Sequence, residues 1–161
     1  MHPRTLSLAI PLLVACAGTR PVLPPLAEGE LVAACPESPN CVSTAASPDD
    51  AEHHAEPIPF QGDVPVAKAR MKAVIAEMPR TALVAEGATS LDYTFTSKLM
   101  GFVDDVQLVF VAGPTAAAPG RIEYRSASRV GRGDMGVNRA RMEAVAAAWE
   151  AANRAEAGSA R

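Results

Sequence analysis

Aromatic residues are scarce in this sequence: four Phe, two Tyr and one Trp make up 4% of 161 residues. A core built with so few rings rests on Val, Leu, Ile and Met and is small, which sets ordinary rather than high stability as the expectation. Charge of one sign is also missing. Fifteen Lys and Arg stand against eighteen Asp and Glu, a net charge of -3, which excludes both a basic nucleic-acid-binding domain and a disordered acidic tail. No apolar run approaches the roughly 20 residues that a bilayer-spanning helix needs. Catalytic signatures are absent as well. There is no G-x-S-x-G elbow, no Ser-His-Asp or Cys-His order, and neither the lysine nor the spacing of a P-loop. No internal repeat is visible. At 48% hydrophobic residues, the chain suits one globular domain with attachments.

What is present begins with an export signal in form. MHPRTLSLAIPLLVACAG has one arginine, a short apolar run from Leu6 to Ala15, and small residues around a cysteine,. Leu13-Val14-Ala15-Cys16 resembles the lipobox of bacterial lipoproteins, which implies that residues 1–15 are a signal peptide and that Cys16 carries lipid,. The alternative is an ordinary signal peptide cut after Ala17, because Ala15-Cys16-Ala17 also fits a small-x-small site,. In the lipoprotein reading, Ala17 after the cysteine directs the protein to the outer membrane of a Gram-negative envelope, facing the periplasm. Residues 16–34, proline-bearing and without periodicity, then form a flexible tether that reaches about 50 Å when extended.

Cysteine is limited to three residues, and setting Cys16 aside leaves the pair Cys35 and Cys41 in CPESPNC,. Pro36 and Pro39 bend the segment between them, and an oxidising periplasm preserves a bond there. So short a ring contributes about 2 kcal/mol by loop closure. A metal half-site completed by His53 and His54 is the competing arrangement, but paired cysteines at zinc are usually spaced more tightly. The expectation is therefore a disulfide, with no metal and no cofactor.

Periodicity organises the rest. VAKARMKAVIAEM, Val66 to Met78, has apolar residues at Val66, Ala67, Met71, Val74, Ile75 and Met78, the spacing of an amphipathic helix, with Asp63 as cap and Pro79 as stop. TALVAEG, SLDYTFTS, DDVQLVFVAG and RIEYRSAS alternate like strands,. Val109 and Val111, opposite the apolar face of the third run, mark it as a central strand covered on both sides. Val137 to Ala152 reads as a second helix buried through Val137, Met142, Val145, Ala148 and Trp149,. The predicted fold is α+β: a four-stranded antiparallel meander with two packed helices, occupying residues 35–153 and followed by a disordered tail at 154–161.

Three motifs in order, CPESPNCVS, FVDDV, and RSASRVG with DMGVNRAR, resemble the bacterial and chloroplast family called domain of unknown function 1499, from about Cys35 to Glu150. The resemblance implies an envelope- or membrane-associated protein without an established activity. The histidine usual after the cysteine loop of that family falls on His53 or His54.

The segment from Arg125 to Arg141 has five arginines and three glycines in seventeen residues, against one acid, Asp134. Two uses compete for the cluster Asp104, Asp105, Arg125, Ser126, Ser128, Arg129, Asp134, Asn138, Arg139 and Arg141. In the first, Asp104 and Asp105 pair with arginines of a hairpin partner, Arg125 and Arg129, and hold the segment against the sheet. Asn138 and the serines then satisfy backbone groups, and Asp134 caps the last helix. In the second, excess arginine, glycines and a helix start form a site for an anionic small molecule or lipid headgroup. A catalytic group assembled from His53, Asp49 or Asp50, and Ser43 is a third arrangement, and a histidine in an acidic surface loop is the commoner fate. The function expected is that of an envelope lipoprotein that binds or scaffolds, with protein partners unidentified, and the alternative is an enzyme around His53, His54 and the Arg-rich segment.

Overall fold

The computed structural model describes residues 26, 27, 29–115 and 117–159. The expected signal peptide, Cys16 and the first part of the tether lie outside the described residues. The chain folds in the order β1 (Cys41–Ser43), β2 (Ile58–Phe60), α1 (Val64–Ala76), β3 (Thr81–Glu86), β4 (Ser90–Thr96), β5 (Val103–Val111), β6 (Gly120–Ser128) and α2 (Val137–Ser159). The strands make one antiparallel sheet in the order β1-β6-β5-β4-β3, and β2 also pairs β6.

The four runs read from the sequence are β3 to β6, but the sheet has six strands rather than four. β1 lies opposite residues 125–127 and β2 opposite 120–122, so two three-residue strands share the outer edge of β6. Three residues show no usable alternation, and Pro59 within β2 argues against a strand unless it is an edge. Phe60 packs so closely on Gly120 that a Cβ there would lie 2.3 Å from the ring.

β5 is the middle strand. One face carries Leu91, Tyr93, Phe95, Val106, Leu108, Phe110, Ile122 and Tyr124, which form a single core with both helices. α1 begins at Val64 and contributes Ala67, Met71, Val74 and Ile75, while Val66 is exposed. Asp63 occupies the cap position without a side-chain cap bond, and Pro65 sits in the first turn, where its missing N–H is tolerated. α2 buries Met142, Val145 and Trp149 but leaves Val137 exposed; its neighbour Asn138 turns inward instead. The helix also runs on to Ser159, through most of the stretch expected as a disordered tail. The physical reason lies on α1, where Arg70 pairs with Glu156 and donates to Asn153 Oδ1 at 2.5 Å, tying down the final turns.

Candidate functional site

Strand register brings the Arg-rich segment into place. Asp104 faces Phe95 on one side and Ser128 on the other, and Asp105 faces Thr94 and Ala127. Adjacent strand residues point to opposite sides of a sheet, so the two aspartates cannot share a partner. Asp104, on the helix side, is paired by Arg141 from the second turn of α2, whose guanidinium also lies 5.0 Å from the centre of the Phe95 ring. Asp105, on the other side, receives Arg129 through Nε at 3.0 and 3.1 Å and Nη2 at 2.7 Å. That fork of hydrogen bonds, opposed by partial burial, holds the Arg129 guanidinium above its ordinary pKa,.

Asp105 thus takes a partner expected for it, and Asp104 takes one from α2 instead. Arg129 meets Asp105, whereas Arg125 stands opposite Gln107 and Ser43 on the sheet face away from the helices. Arg141, twelve residues beyond Arg129, takes the other aspartate. The helix residue that reaches a given strand residue is set by packing, which alternation alone does not report.

Around Asn138, 1% exposed, the polar groups form a closed network. The two protons on its Nδ2 are shared among three acceptors, the Asn40 carbonyl at 3.0 Å, Ser128 Oγ at 2.9 Å and Asp134 Oδ2 at 2.7 Å. Its Oδ1 accepts from Ser126 Oγ and Arg141 Nη1, both at 2.6 Å. Asp134 caps α2 by accepting the backbone N–H groups of Gly136 and Asn138 at 2.9 and 2.8 Å,. Asn40 is also fully buried, and its Nδ2 donates to the carbonyl of Gly131, a residue at φ +83°. Asn40 sits within the ring closed by the Cys35–Cys41 disulfide, whose Cα atoms are 5.7 Å apart. The disulfide loop therefore fastens the Arg-rich segment to β1. Nothing in the sequence alone singles out Asn40, whose burial follows from the ring that the disulfide closes.

The remaining arginines divide. Arg139 Nη2 donates to the carbonyls of Ala51, Glu52 and His54 at 3.2, 3.1 and 3.0 Å, clamping the histidine loop. Arg132 is exposed. In that loop His53 is buried, with Nδ1 against Asp50 at 2.8 Å and Nε2 against the Ser38 carbonyl at 3.3 Å. Burial opposes its charge, but Asp50 and the carbonyl outweigh burial and raise its pKa above 6.5. The same hydrogen bond lowers that of Asp50. His54 is raised chiefly by its bond to Glu56, then by the Ala46 carbonyl. The Ser43 hydroxyl donates to the Ala33 carbonyl at 2.8 Å rather than joining either ring, so the His-Asp-Ser arrangement drawn from the sequence is not assembled.

Two further groups stand out. Tyr124 lines a recess of about 200 Å³ beside α2, together with the apolar Val42, Met142 and Ala146 and the charged Glu56, Arg139 and Glu143. Burial pushes its phenol up to about 12. On the opposite sheet face Asp92 is 9% exposed, and neither carboxylate oxygen has a hydrogen-bond partner. Burial raises its pKa and nearby Asp105 adds to that, while the Gln107 amide across the strand pair offsets part of it without reaching full hydrogen-bonding geometry.

A small α+β domain with one disulfide and a polar network at the junction of sheet and last helix is thereby defined. The sequence profile of the family described as "Protein of unknown function (DUF1499)" matches residues 31–148, and the chain belongs to that family. No curated protein and no solved structure matches it.

Proposed function

We propose that the chain is an exported envelope protein, anchored through lipid on Cys16, whose globular domain binds or scaffolds without catalysing a reaction. The observation that carries the non-catalytic part is the internal commitment of its polar groups. Arg129 and Arg141 are paired to Asp105 and Asp104, Arg139 to three carbonyls, and both ring nitrogens of His53 and of His54 face oxygens. A general base needs a ring nitrogen free to take a substrate proton, and an anion site needs guanidinium donors that are free of internal carboxylates.

In this reading the Arg-rich segment holds the fold. A phosphate or lipid headgroup there competes with Asp104, Asp105 and the carbonyls of residues 51–54. A small ligand could instead use the Tyr124 recess, where apolar residues meet a few polar groups,. The anchor rests on LVAC after a short apolar run. Replacing Cys16 with Ser should move the protein from the membrane fraction to the soluble one, and mass spectrometry of natively purified protein should find acyl chains on Cys16. Unchanged detergent-dependent membrane association of Cys16→Ser would remove the assignment.

A further inference from the structure

Nine large hydrophobic side chains are exposed among the described residues, and five of them gather at one end of the sheet: Leu99 at 90%, Met100 at 70%, Phe102 at 48%, Met135 at 102% and Val137 at 45%. Topology brings them together. Thr96, the last residue of β4, pairs with Val103, the first of β5, so the turn of residues 97–102 projects from that end. β6 leaves the sheet beside it, with the Arg129 N–H donating to the Val103 carbonyl at 3.1 Å, and the segment from there to α2 carries Met135 and Val137. The turn is held rather than loose at its base: Ser97 N–H donates to the Phe102 carbonyl at 2.8 Å, and Phe102 N–H to Ser97 Oγ at 2.9 Å.

Scattered exposed apolar residues need no explanation, but a cluster marks a contact surface. We propose that this end of the domain is a membrane-docking tip, whose Leu, Met and Phe side chains enter the interfacial layer of a bilayer. The shape favours a lipid occupant. The side chains stand on projecting turns, and a protein partner would need a pocket matched to each knob, whereas the fluid interface accommodates flexible Leu and Met without one.

Charge at this end is compatible with an anionic leaflet. Arg80, Lys98 and Arg132 are exposed beside the apolar residues. Asp104 and Asp105 are paired with Arg141 and Arg129, and Asp134 is engaged in capping. Apolar insertion carries the binding, and anionic headgroups add a preference of only a few-fold. The tip is independent of the lipid on Cys16: an anchor sets proximity to the membrane, while the tip sets which end of the domain faces it.

The test uses the full chain carrying Cys16→Ser, so that an introduced cysteine is the thiol that reacts while Cys35 and Cys41 stay bonded. An environment-sensitive fluorophore is placed in turn at Leu99→Cys, Met100→Cys and, at the opposite end of the sheet in the β5–β6 loop, Thr115→Cys. With vesicles of phosphatidylglycerol and phosphatidylethanolamine, the labels at 99 and 100 should shift to the blue and be quenched by spin-labelled lipid at least about twofold more than the label at 115. Leu99→Asp with Met100→Asp should weaken vesicle binding about tenfold, the effect of withdrawing two partly buried side chains. Labels at 99 and 100 that stay as wet as the one at 115 would overturn the proposal. So would burial of those labels by envelope proteins without lipid, which would assign a protein partner. Because every variant shares the Cys16→Ser background, failure of the tip and failure of the lipid anchor are read separately.

Discussion

Asp104 and Asp105 show how much a single residue's neighbours decide. They are adjacent in the chain, yet one is served from α2 and the other from the end of β6, and the Arg141–Asp104 pair is the more buried, with side-chain exposures of 11% and 5%. Removing Arg141 leaves a buried carboxylate unpaired, so Arg141→Gln should cost about 3 to 5 kcal/mol. Arg129→Gln, at a less buried fork, should cost about 1 to 3 kcal/mol. Exposed Arg132→Gln should stay within about 0.5 kcal/mol. Urea denaturation of the three proteins orders them. Asp92 should behave in the opposite sense. Its raised pKa means that the ionised form is disfavoured in the fold, so Asp92→Asn should raise the denaturation midpoint at pH 7. That gain should vanish as pH falls below the ordinary carboxylate value of 3.8,. The aspartates, the arginines and Asn138 are conspicuous in the sequence; their pairing is not, because Arg141 and Asp104 are brought together by a helix crossing a sheet.

Among elements, β3 to β6 were legible because each is long enough to alternate. β1 and β2 were not, since three residues beside prolines have no readable period and their strand character comes entirely from the edge of β6. The last turns of α2 were hidden for a similar reason: Arg70, on the other helix, holds them in place. The Cys35–Cys41 ring couples these levels by presenting Asn40 to β6 and α2. Reducing it should lower stability by about 2 kcal/mol and increase hydrogen exchange at the Ser128 N–H, whose partner is the Asn40 carbonyl. Retained protection of Ser128 after reduction would show that the ring is not what positions Asn40. The histidine loop adds a pH response. His53 and His54 bind their protons more tightly folded than unfolded, so their contribution is complete below about pH 6.5 and is lost as pH rises through their raised folded values,. A denaturation midpoint that falls between pH 6 and 8 in wild type, and falls less in His53→Gln, is the expected outcome; equal pH profiles would contradict it.

At the scale of the whole molecule, the disulfide loop, the end of β6 and the start of α2 meet at one end of the sheet. The polar network that joins them leaves its arginines facing inward, while Leu99, Met100 and Met135 face outward. Whether those arginines hold the fold or await an anion is the central question, and the two roles make opposite demands on stability. Cations collected for a ligand repel one another in the free protein, so removing one leaves the melting temperature steady or raises it and abolishes stabilisation by the ligand. Cations paired with buried carboxylates do the reverse. The direct measurement is thermal unfolding of wild type, Arg129→Gln and Arg141→Gln, each with and without inorganic phosphate. A melting temperature lower by about 10 °C or more for Arg141→Gln, a smaller loss for Arg129→Gln, and no phosphate-dependent shift in wild type are the results expected. Variants that melt like wild type, together with a phosphate stabilisation that they lose, would contradict the account.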